Sequence, residues 1–166
     1  MICPVCGFEN LQGEDNCENC GADLRTADIP LPGSRFERAL LNQPLGSLSP
    51  PVARSVGPDD SAADVVSGMR AGGEGAVVVV NNGRVIGIFT ERDALRKLAG
   101  ANLDGVSVAE VMTVDPVVLR TDDRVAVAIH KMAVGGFRHI PLVDGGTPVG
   151  MVTAHHLFRY ILELLA

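Results

Sequence analysis

The feature that most constrains the fold of this chain is an internal repeat. From about residue 45 to the end, apolar, acidic and glycine positions recur in the same order without a gap, and Gly87 and Gly150 mark the offset of 63 residues. Other matched positions are Asp59-Asp60 with Asp122-Asp123, Met69 with Met132, and Gly83 with Gly146. So long an ungapped register predicts two copies of one supersecondary unit.

Both copies show the same order of patterns. A short strand, Arg54–Val56 or Val117–Leu119, precedes a helix with apolar residues at i, i+3, i+4 and i+7. A buried strand, a turn rich in Asn, Asp and Gly, a second strand and a closing helix follow. The fold class is therefore α+β, with the order β-α-β-β-α twice. The predicted strands and closing helices are Ala76–Val80, Val85–Phe89, 91–99, His139–Val143, Val149–Val152 and 154–165.

All four cysteines lie near the N-terminus, in two Cys-x-x-Cys pairs: Cys3 with Cys6 and Cys17 with Cys20. A glycine follows each pair and permits the tight turn that points backbone amides at the sulfurs. Four thiolates about 2.3 Å from one ion satisfy tetrahedral zinc. The spacing predicts a structural zinc site, and the metal would supply most of the folding energy of so short a segment.

Residues 1–24 resemble the short zinc ribbons at the N-terminus of many prokaryotic proteins, with the pattern CPxCG followed by CxxCG. Rubredoxin-like iron is an alternative, since the same four thiolates accept iron. Disulfides or a catalytic thiol are further alternatives. A catalytic zinc is not expected, because four cysteines leave no open coordination position.

Residues 25–44 are predicted to be a linker between the cysteine-rich segment and the repeats. Prolines and Gly33 interrupt regular structure in its first part. A short helix is predicted at Arg35–Asn42, because Phe36 and Leu40 fall on one face and Pro44 follows it. Either this helix docks on the repeats or the segment is a flexible tether.

The repeats resemble the cystathionine-β-synthase (CBS) domain, which normally occurs as a tandem pair. The resemblance is carried by VIGIFTERDAL in the first copy, by FRHIPLVDGGTPVGMVT in the second, and by VMTVDPVVLRTDD ahead of the second. It assigns residues 45–101 to a first CBS repeat and residues 102–166 to a second.

The family resemblance implies two repeats packed sheet to sheet about a pseudo-two-fold axis, with two clefts between them. It also implies a regulatory module that binds an adenosine derivative: AMP, ADP, ATP or S-adenosylmethionine. In the family such a pair often regulates an attached enzyme or channel, and no catalytic domain is expected in this sequence.

The chemistry predicted for the first cleft depends on Thr90 and Asp93, where a strand meets the first closing helix. The Thr90 hydroxyl and the free amides of the first helical turn can receive an anion. The carboxylate oxygens of Asp93 can accept from the two adjacent hydroxyls of a ribose. The Thr-x-x-Asp spacing also fits a capping box that needs no ligand. The family resemblance favours phosphate and ribose binding.

Arg138 and His139 are predicted to complete this site from the second repeat. They stand where the first repeat has Gly75 and Ala76, so a bulky basic pair replaces a small neutral one. The family often places basic residues here, facing the phosphates of a nucleotide whose ribose is held by the other repeat. The alternative is that Arg138 is simply solvated.

The second copy keeps the threonine of the first copy but has no acid three residues after it. Thr153 matches Thr90, whereas His156 stands where the first copy has Asp93. A neutral imidazole has one acceptor nitrogen and cannot take both ribose hydroxyls. We therefore expect Thr153 and His156 to mark a degenerate nucleotide site, which is either empty or one in which His155 and His156 meet phosphate oxygens.

Composition argues against several other functions. A net charge of −6, 4% aromatic residues and the lack of a Lys/Arg run are not typical of nucleic-acid binding. No apolar run approaches the length of a membrane span, and no signal peptide is evident, so a cytoplasmic protein without a membrane partner is predicted. No motif for a catalytic nucleophile or an open metal site is present, so an enzyme is not predicted.

Two other roles stay open, and a homodimer is expected. The clefts could be ligand-free in a protein-interaction adaptor whose ribbon contacts a partner. The ribbon could instead hold iron in a redox protein controlled by the CBS pair. The family usually buries apolar helix faces against a second pair, and the candidate segments here are Val108–Met112 and Leu157–Leu165.

Overall fold

The computed structural model describes residues 2–3, 5–11, 14–24, 35–98 and 105–165. The chain divides into two compact units, Met1–Arg38 and Ala39–Ala166. The first part of the predicted linker, residues 25–34, and the predicted boundary between the repeats, at 101–102, lie outside the described residues.

The first unit contains two turns that each begin at a cysteine. Cys3 O accepts from Gly7 N at 3.0 Å, and Cys17 O accepts from Gly21 N at 2.8 Å. Both glycines have positive φ, 72° and 71°, which a residue with a Cβ adopts only at a cost. One antiparallel bridge closes each turn. The two Cys-x-x-Cys-Gly segments therefore close in the same way, with the tight glycine turn that the sequence predicts.

The predicted helix ahead of the repeats is present as α1, Arg35–Asn42. A 3₁₀ turn, Leu45–Leu48, follows it. Leu45 is fully buried in the core of the second repeat, and Leu40 and Leu48 pack against the same core. From Ala39 onward the segment is therefore docked rather than a free tether.

The predicted order of elements is present in the first copy, and the second copy follows it from its helix onward. The first contains β1 (Ser55–Val56), α2 (Ala62–Gly72), β2 (Ala76–Asn81), β3 (Arg84–Thr90) and α3 (Glu91–Asp93), which continues as a π turn, Ala94–Leu98. The second contains α4 (Val108–Val111), β4 (Thr113–Val114), α5 (Val125–Gly135), β5 (His139–Asp144), β6 (Thr147–Thr153) and α6 (Ala154–Leu165). Two details differ: the predicted strand Val117–Leu119 is a single bridge between Leu119 and Leu142, and β4 was not predicted.

Each repeat lends a segment to the sheet of the other. The larger sheet has the order β1-β2-β3-β4, and β5 pairs with β6 in a second sheet. Strand β4 lies in the second repeat in sequence but pairs with β3 of the first, Ile88 opposite Thr113. In return, Met151 N in β6 donates to Pro51 O of the first repeat at 3.0 Å. Each repeat therefore contributes residues to the sheet of the other.

Both hairpins have the turn that the glycine and asparagine positions predict. The central residues Asn82 and Gly83 have φ of 49° and 76°, and Gly145 and Gly146 have φ of 56° and 94°. Two consecutive positive φ values define the turn whose twist matches paired strands.

Three apolar clusters hold the second unit together. Helix α2 packs Val65 and Met69 against β2 and β3, and α5 packs Ala128 and Met132 against β5 and β6. A third cluster joins Val78 and Ile88 of the first repeat to Met151 of the second. The two sheets therefore contact each other through their faces opposite the helices.

The expected dimer surface at Val108–Met112 is wrong. Val108 is 0% exposed and Val111 is 6% exposed, because both pack into the core of the first repeat. The other candidate, α6, does present apolar side chains to solvent.

Among the described residues no helix, including the twelve-residue α6, is long and apolar enough to cross a membrane.

Candidate functional site

A cleft of about 470 Å³ contains four of the six predicted nucleotide-binding residues. Thr90 and Asp93 line it from the junction of β3 and α3, while Arg138 and His139 line it from the start of β5. The volume falls in the range of small-molecule sites. The predicted site therefore receives side chains from both repeats.

Asp93 is held by the residue that opens its helix. Its Oδ2 accepts from the Thr90 hydroxyl at 2.6 Å and from the Thr90 amide at 3.1 Å. The Asp93 amide donates to Thr90 Oγ1 at 3.2 Å, which completes a capping box. The ligand-independent arrangement that we gave as the alternative is therefore present, and it fixes the carboxylate at the edge of the cleft.

The capping box does not use all the acceptor capacity of Asp93. Its Oδ1 accepts from the Thr113 hydroxyl at 3.2 Å and lies 3.5 Å from Lys97 Nζ. An ionised carboxylate offers about four acceptor positions, and those of Oδ2 are both taken by Thr90. The geometry therefore favours Oδ1 as the oxygen that receives a ligand hydroxyl, while Oδ2 continues to cap the helix.

Three guanidinium groups line the cleft. Arg92 donates to Gly136 O at 3.0 Å. Within the described part of the chain, the guanidinium groups of Arg96 and Arg138 have no hydrogen-bond or ion-pair partner. Arg138 is exposed and at the same time lines the cleft, so its donors are available to an anionic group. Acidic side chains also contribute to the walls: Glu91, Asp93 and Asp115.

The imidazole of His139 lies against Gly75. A Cβ at residue 75 would be 2.9 Å from His139 Nε2, so the missing side chain makes room for the imidazole. Burial lowers the pKa of His139 below its usual 6.5, with help from Arg138 and Arg92, although the Glu91 carboxylate acts in the opposite direction. At neutral pH His139 therefore offers hydrogen bonds to a ligand rather than a positive charge.

Apolar side chains form the remaining wall of the cleft. Ile88, Pro116, Val117 and Phe137 line it together. The Phe137 ring lies against Gly135, where no Cβ would fit. A flat aromatic group can bury its faces against such a wall.

The second copy rebuilds the capping box with an imidazole. Thr153 N donates to His156 Nδ1 at 3.3 Å, and His156 N donates to Thr153 Oγ1 at 3.2 Å. Burial lowers the pKa of His156, and Arg159 and His155 lower it further. The structure brings Thr153 and His156 together as predicted, but neither residue lines the cleft of Asp93.

The first copy differs from the second at the positions that match the apolar wall. Arg54 and Glu74 stand 63 residues before Val117 and Phe137. Arg54 Nη1 lies 3.2 Å from Glu74 Oε2, and the guanidinium packs so closely on Gly68 that no Cβ would fit there. A surface ion pair therefore replaces the apolar wall.

The four cysteines of the first unit meet at one point. Cys3 Sγ lies 3.7 Å from Cys20 Sγ, and Cys6 Sγ lies 3.6 Å from Cys17 Sγ. All four sulfurs lie within 4.8 Å of one another. Sulfurs about 2.3 Å from a central ion would be about 3.8 Å apart in a tetrahedron. The cluster therefore fits zinc, and it fits the alternative, iron, equally well.

The pKa values of these thiols differ from one another. Desolvation opposes ionisation of Cys17, but the backbone amides of Cys20 and Asn19 outweigh it and lower the pKa to about 6. The amide of Ala22 favours the Cys20 thiolate, but its sulfur neighbours and burial raise the pKa to about 12. Four adjacent thiolates cannot all ionise without a cation, which is the electrostatic setting that a bound metal relieves.

Sequence reasoning missed several residues of the cleft. Arg92 and Arg96 could have been found, because they lie on the same short helical segment as Asp93, four residues apart. Thr113 and Asp115 could not, because their position depends on β4 crossing to the sheet of the first repeat. Nothing in the local pattern of residues 113–115 shows that pairing.

Comparison with known proteins extends this description. The family model for the CBS domain matches residues 46–100 and 108–163. The chain is 35% identical over 105 residues to the Meiotically up-regulated gene 70 protein of Schizosaccharomyces pombe, over 61% of this chain and 14% of that protein. It is 34% identical over 113 residues to the protein MK0525 of Methanopyrus kandleri, over 66% of this chain and 58% of that protein. The chain thus spans less than two thirds of each of these relatives.

Solved structures share the fold. The CBS domain structure NE2398 is 25% identical with a TM-score of 0.66, over 71% of this chain and 94% of that chain. CBSX2 in complex with AMP is 20% identical with a TM-score of 0.64, over 74% and 98%. The CBS domain pair of MJ0100, in complex with 5′-methylthioadenosine and S-adenosyl-L-methionine, is 21% identical with a TM-score of 0.64, over 71% and 98%. At the identities of the last two, the likeness shows the fold alone.

Proposed function

This chain belongs to the CBS-domain family, and from that premise we propose that it is a non-catalytic regulatory module that binds one adenosine-containing ligand. The observation that carries the proposal is the cleft in which Thr90 and Asp93 of one repeat face Arg138 and His139 of the other. CBSX2 binds AMP, and MJ0100 binds 5′-methylthioadenosine and S-adenosyl-L-methionine, which supports an adenosine ligand here.

Each part of the cleft suits one part of such a ligand. Asp93 Oδ1 accepts a ribose hydroxyl, since its contacts with Thr113 and Lys97, at 3.2 and 3.5 Å, are longer than the contacts of Oδ2. The adenine packs against the apolar wall that includes Val117 and Phe137. The phosphate binds Arg138, with Arg96 and His139 as further donors.

A ligand bound in this way connects the two repeats. It touches Asp93 on one side and Arg138 on the other, so it stabilises the arrangement in which both are correctly placed. The reciprocal exchange of segments between the two sheets supports the pseudo-two-fold pairing expected of the family. The regulated target would respond to this placement of the two repeats.

Titration calorimetry tests the proposal, with AMP, ADP, ATP, S-adenosylmethionine and adenosine as separate probes. We expect at least one of them to bind with a stoichiometry of one per chain. If none binds, the adaptor function replaces the sensor function. The observation that favours that second candidate is the capping box of Thr90 and Asp93, which is complete without a ligand.

For the first unit we propose a structural zinc ion held by Cys3, Cys6, Cys17 and Cys20, whose sulfurs form one compact cluster. The zinc fixes the two turns against each other and leaves no position for a substrate. Elemental analysis should give one zinc per chain. A red protein that contains iron would support the redox alternative instead. Cys17→Ser should release the metal while AMP binding by the repeats is kept.

We also propose that the module forms a homodimer through α6. Phe158, Leu162 and Leu165 are 57%, 49% and 67% exposed, and together they make an apolar stripe on the last helix. Sedimentation at micromolar concentration should give a dimer, and Leu162→Asp should give a monomer. Val134→Asp is a matched control, because Val134 is 76% exposed on a different helix.

A further inference from the structure

Lys97 connects the carboxylate of the cleft to the end of α4 in the second repeat. Its Nζ lies 3.5 Å from Asp93 Oδ1 and donates to Val111 O at 2.7 Å and to Met112 O at 3.1 Å. Val111 is the last residue of α4 and Met112 follows it. One ammonium group with three donors thus contacts both a ligand-binding oxygen and a helix C-terminus.

Strand β4 is tied to the same carboxylate oxygen. Thr113, its first residue, donates to Asp93 Oδ1 at 3.2 Å. The contacts of Oδ2 with Thr90, at 2.6 and 3.1 Å, are shorter than the two contacts of Oδ1, at 3.2 and 3.5 Å. A ligand hydroxyl therefore displaces a contact at Oδ1 more readily than one at Oδ2.

The backbone around Lys97 differs from that of the second repeat. After Asp93 the helix widens into a π turn, Ala94–Leu98, of a kind that often occurs at functional sites. In the second repeat α6 continues without a π turn, and the residue that matches Lys97 is Tyr160, which packs on the apolar core. The ammonium link is therefore present only in the repeat that has the acid.

We propose that Lys97 is a positioning residue that couples the occupancy of the cleft to α4 and β4. The proposal rests on the proposed function, because it needs a ligand that donates a hydroxyl to Asp93. When that hydroxyl binds Oδ1, Lys97 leaves the carboxylate and donates to the carbonyls of Val111 and Met112 alone. A cation stabilises a helix C-terminus, so the ligand tightens α4.

The effect reaches beyond the cleft because of what α4 and β4 contact. Val108 and Val111 of α4 are buried in the core of the first repeat. Strand β4 extends the sheet of the same repeat at Ile88. Both elements belong to the second repeat in the chain but pack on the first, so a change in their stability alters how the two repeats are joined.

Hydrogen exchange of the ligand-free protein tests the link itself. Lys97→Met keeps the length of the side chain but removes its donors, and we expect amides of residues 108–112 to exchange about tenfold faster. Tyr160→Phe, at the matching position of the second repeat, should leave these amides unchanged. If Lys97→Met also leaves them unchanged, the role of Lys97 is overturned.

The same measurement with saturating AMP tests the coupling. AMP should slow exchange in α4 of the wild-type protein and of Lys97→Arg, which keeps the charge and the donors. It should not slow exchange there in Lys97→Met, although calorimetry should show that this variant still binds AMP. A merely structural role for Lys97 would leave the AMP-dependent difference intact.

The outcomes separate this inference from the proposed function. If AMP binds the wild-type protein but does not change exchange in α4, the coupling is overturned and the binding site stands. If calorimetry shows no binding of AMP or of the other adenosine probes, the proposed function fails and the coupling fails with it. Protection in Lys97→Met equal to that in the wild-type protein would also overturn the coupling.

Discussion

The two repeats cap the start of their closing helices with different side chains. In the first, Thr90 and the carboxylate of Asp93 cap the helix, and in the second Thr153 and the imidazole of His156 make the equivalent contacts. An acceptor three residues after the threonine is thus required by the fold, whereas a negative charge is not. The difference teaches that the charge of Asp93 has another use.

The cleft of Asp93 also differs from the other copy in the side chains that surround it. In the cleft of Asp93 one wall is apolar, and the guanidinium groups of two arginines lack partners within the described residues. At the positions of the first repeat that match the second-repeat part of this wall, Arg54 and Glu74 pair with each other. The cleft of Asp93 therefore keeps unsatisfied donors and an apolar surface, whereas the matching positions of the first repeat pair their charges with each other.

The largest expected effect separates capping from binding at one residue. Asp93→Asn keeps an oxygen that can accept from Thr90 but removes the charge and an acceptor. We expect AMP affinity to fall by about tenfold to a hundredfold or more, since a hydrogen bond to a charged group contributes about 1.5–3 kcal/mol. AMP at about a hundred times its Kd raises wild-type stability by about 2.7 kcal/mol. The corresponding rise in Tm, about 5–10 °C, should fall to about half or less at the same AMP concentration.

The matched control lies in the second repeat. His156→Asn makes the same kind of change at the equivalent position and should preserve the rise in Tm caused by AMP. Loss of that rise in His156→Asn, together with its retention in Asp93→Asn, would show that the wrong repeat has been assigned the ribose.

A smaller effect is expected from the phosphate side of the cleft. Arg138→Ala should weaken AMP by about tenfold, because one charge-assisted contact is lost, and should leave the affinity for adenosine nearly unchanged. Calorimetry with both ligands measures the difference. Arg159→Ala is a control of the same type, since Arg159 pairs with Glu163 on the exposed side of α6. Equal losses for AMP and adenosine would contradict the phosphate contact.

The sequence predicted the fold to a large extent because the repeat supplies two readings of each element. Helices α2 and α5 and the hairpin strands follow from apolar periodicity and glycine turns, all of which are local signals. Strand β4 was missed because its pairing with β3 is long-range. The wrong dimer surface at Val108–Met112 has the same cause: an apolar segment looks the same in sequence whether it is covered by its own chain or by a second one.

The candidate site was predicted in part for a similar reason. Thr90 and Asp93 form a local motif, and Arg138 and His139 stand out by comparison with the first repeat. The contacts of Asp93 with Lys97 and Thr113 depend on the π turn and on β4. Neither feature has a local sequence signal, so the division of labour between Oδ1 and Oδ2 required the structure.

A third change gives the second repeat the acid of the first. His156→Asp should stabilise the protein by about 0.5–1 kcal/mol, because a carboxylate is a better acceptor for the Thr153 amide and favours a helix N-terminus. The Tm should rise by about 1–4 °C. The stoichiometry of AMP should stay at one per chain. The position of the first repeat that matches Arg138 is Gly75, which has no side chain to bind the phosphate of a second AMP. A second bound AMP would show that the acid alone defines a site.

The smallest expected effect is a pH dependence that belongs to the imidazole of the second copy. Burial lowers the pKa of His156 in the folded chain below its usual 6.5, and Arg159 and His155 act in the same direction. Between these two values the unfolded chain binds a proton that the folded chain does not, so stability falls as the pH drops below 6.5 and levels off below the folded pKa. Above 6.5 the contribution is fully present.

His156→Asn keeps an acceptor for Thr153 without this titration, so its Tm should fall less than that of the wild-type protein between pH 7.5 and 5, as followed by circular dichroism. Parallel profiles for the two proteins would mean that Nδ1 is not the acceptor that caps α6. His139 also titrates below its usual pKa because of burial, and His156 contributes to that lowering, so the difference between the two profiles includes a small response of His139.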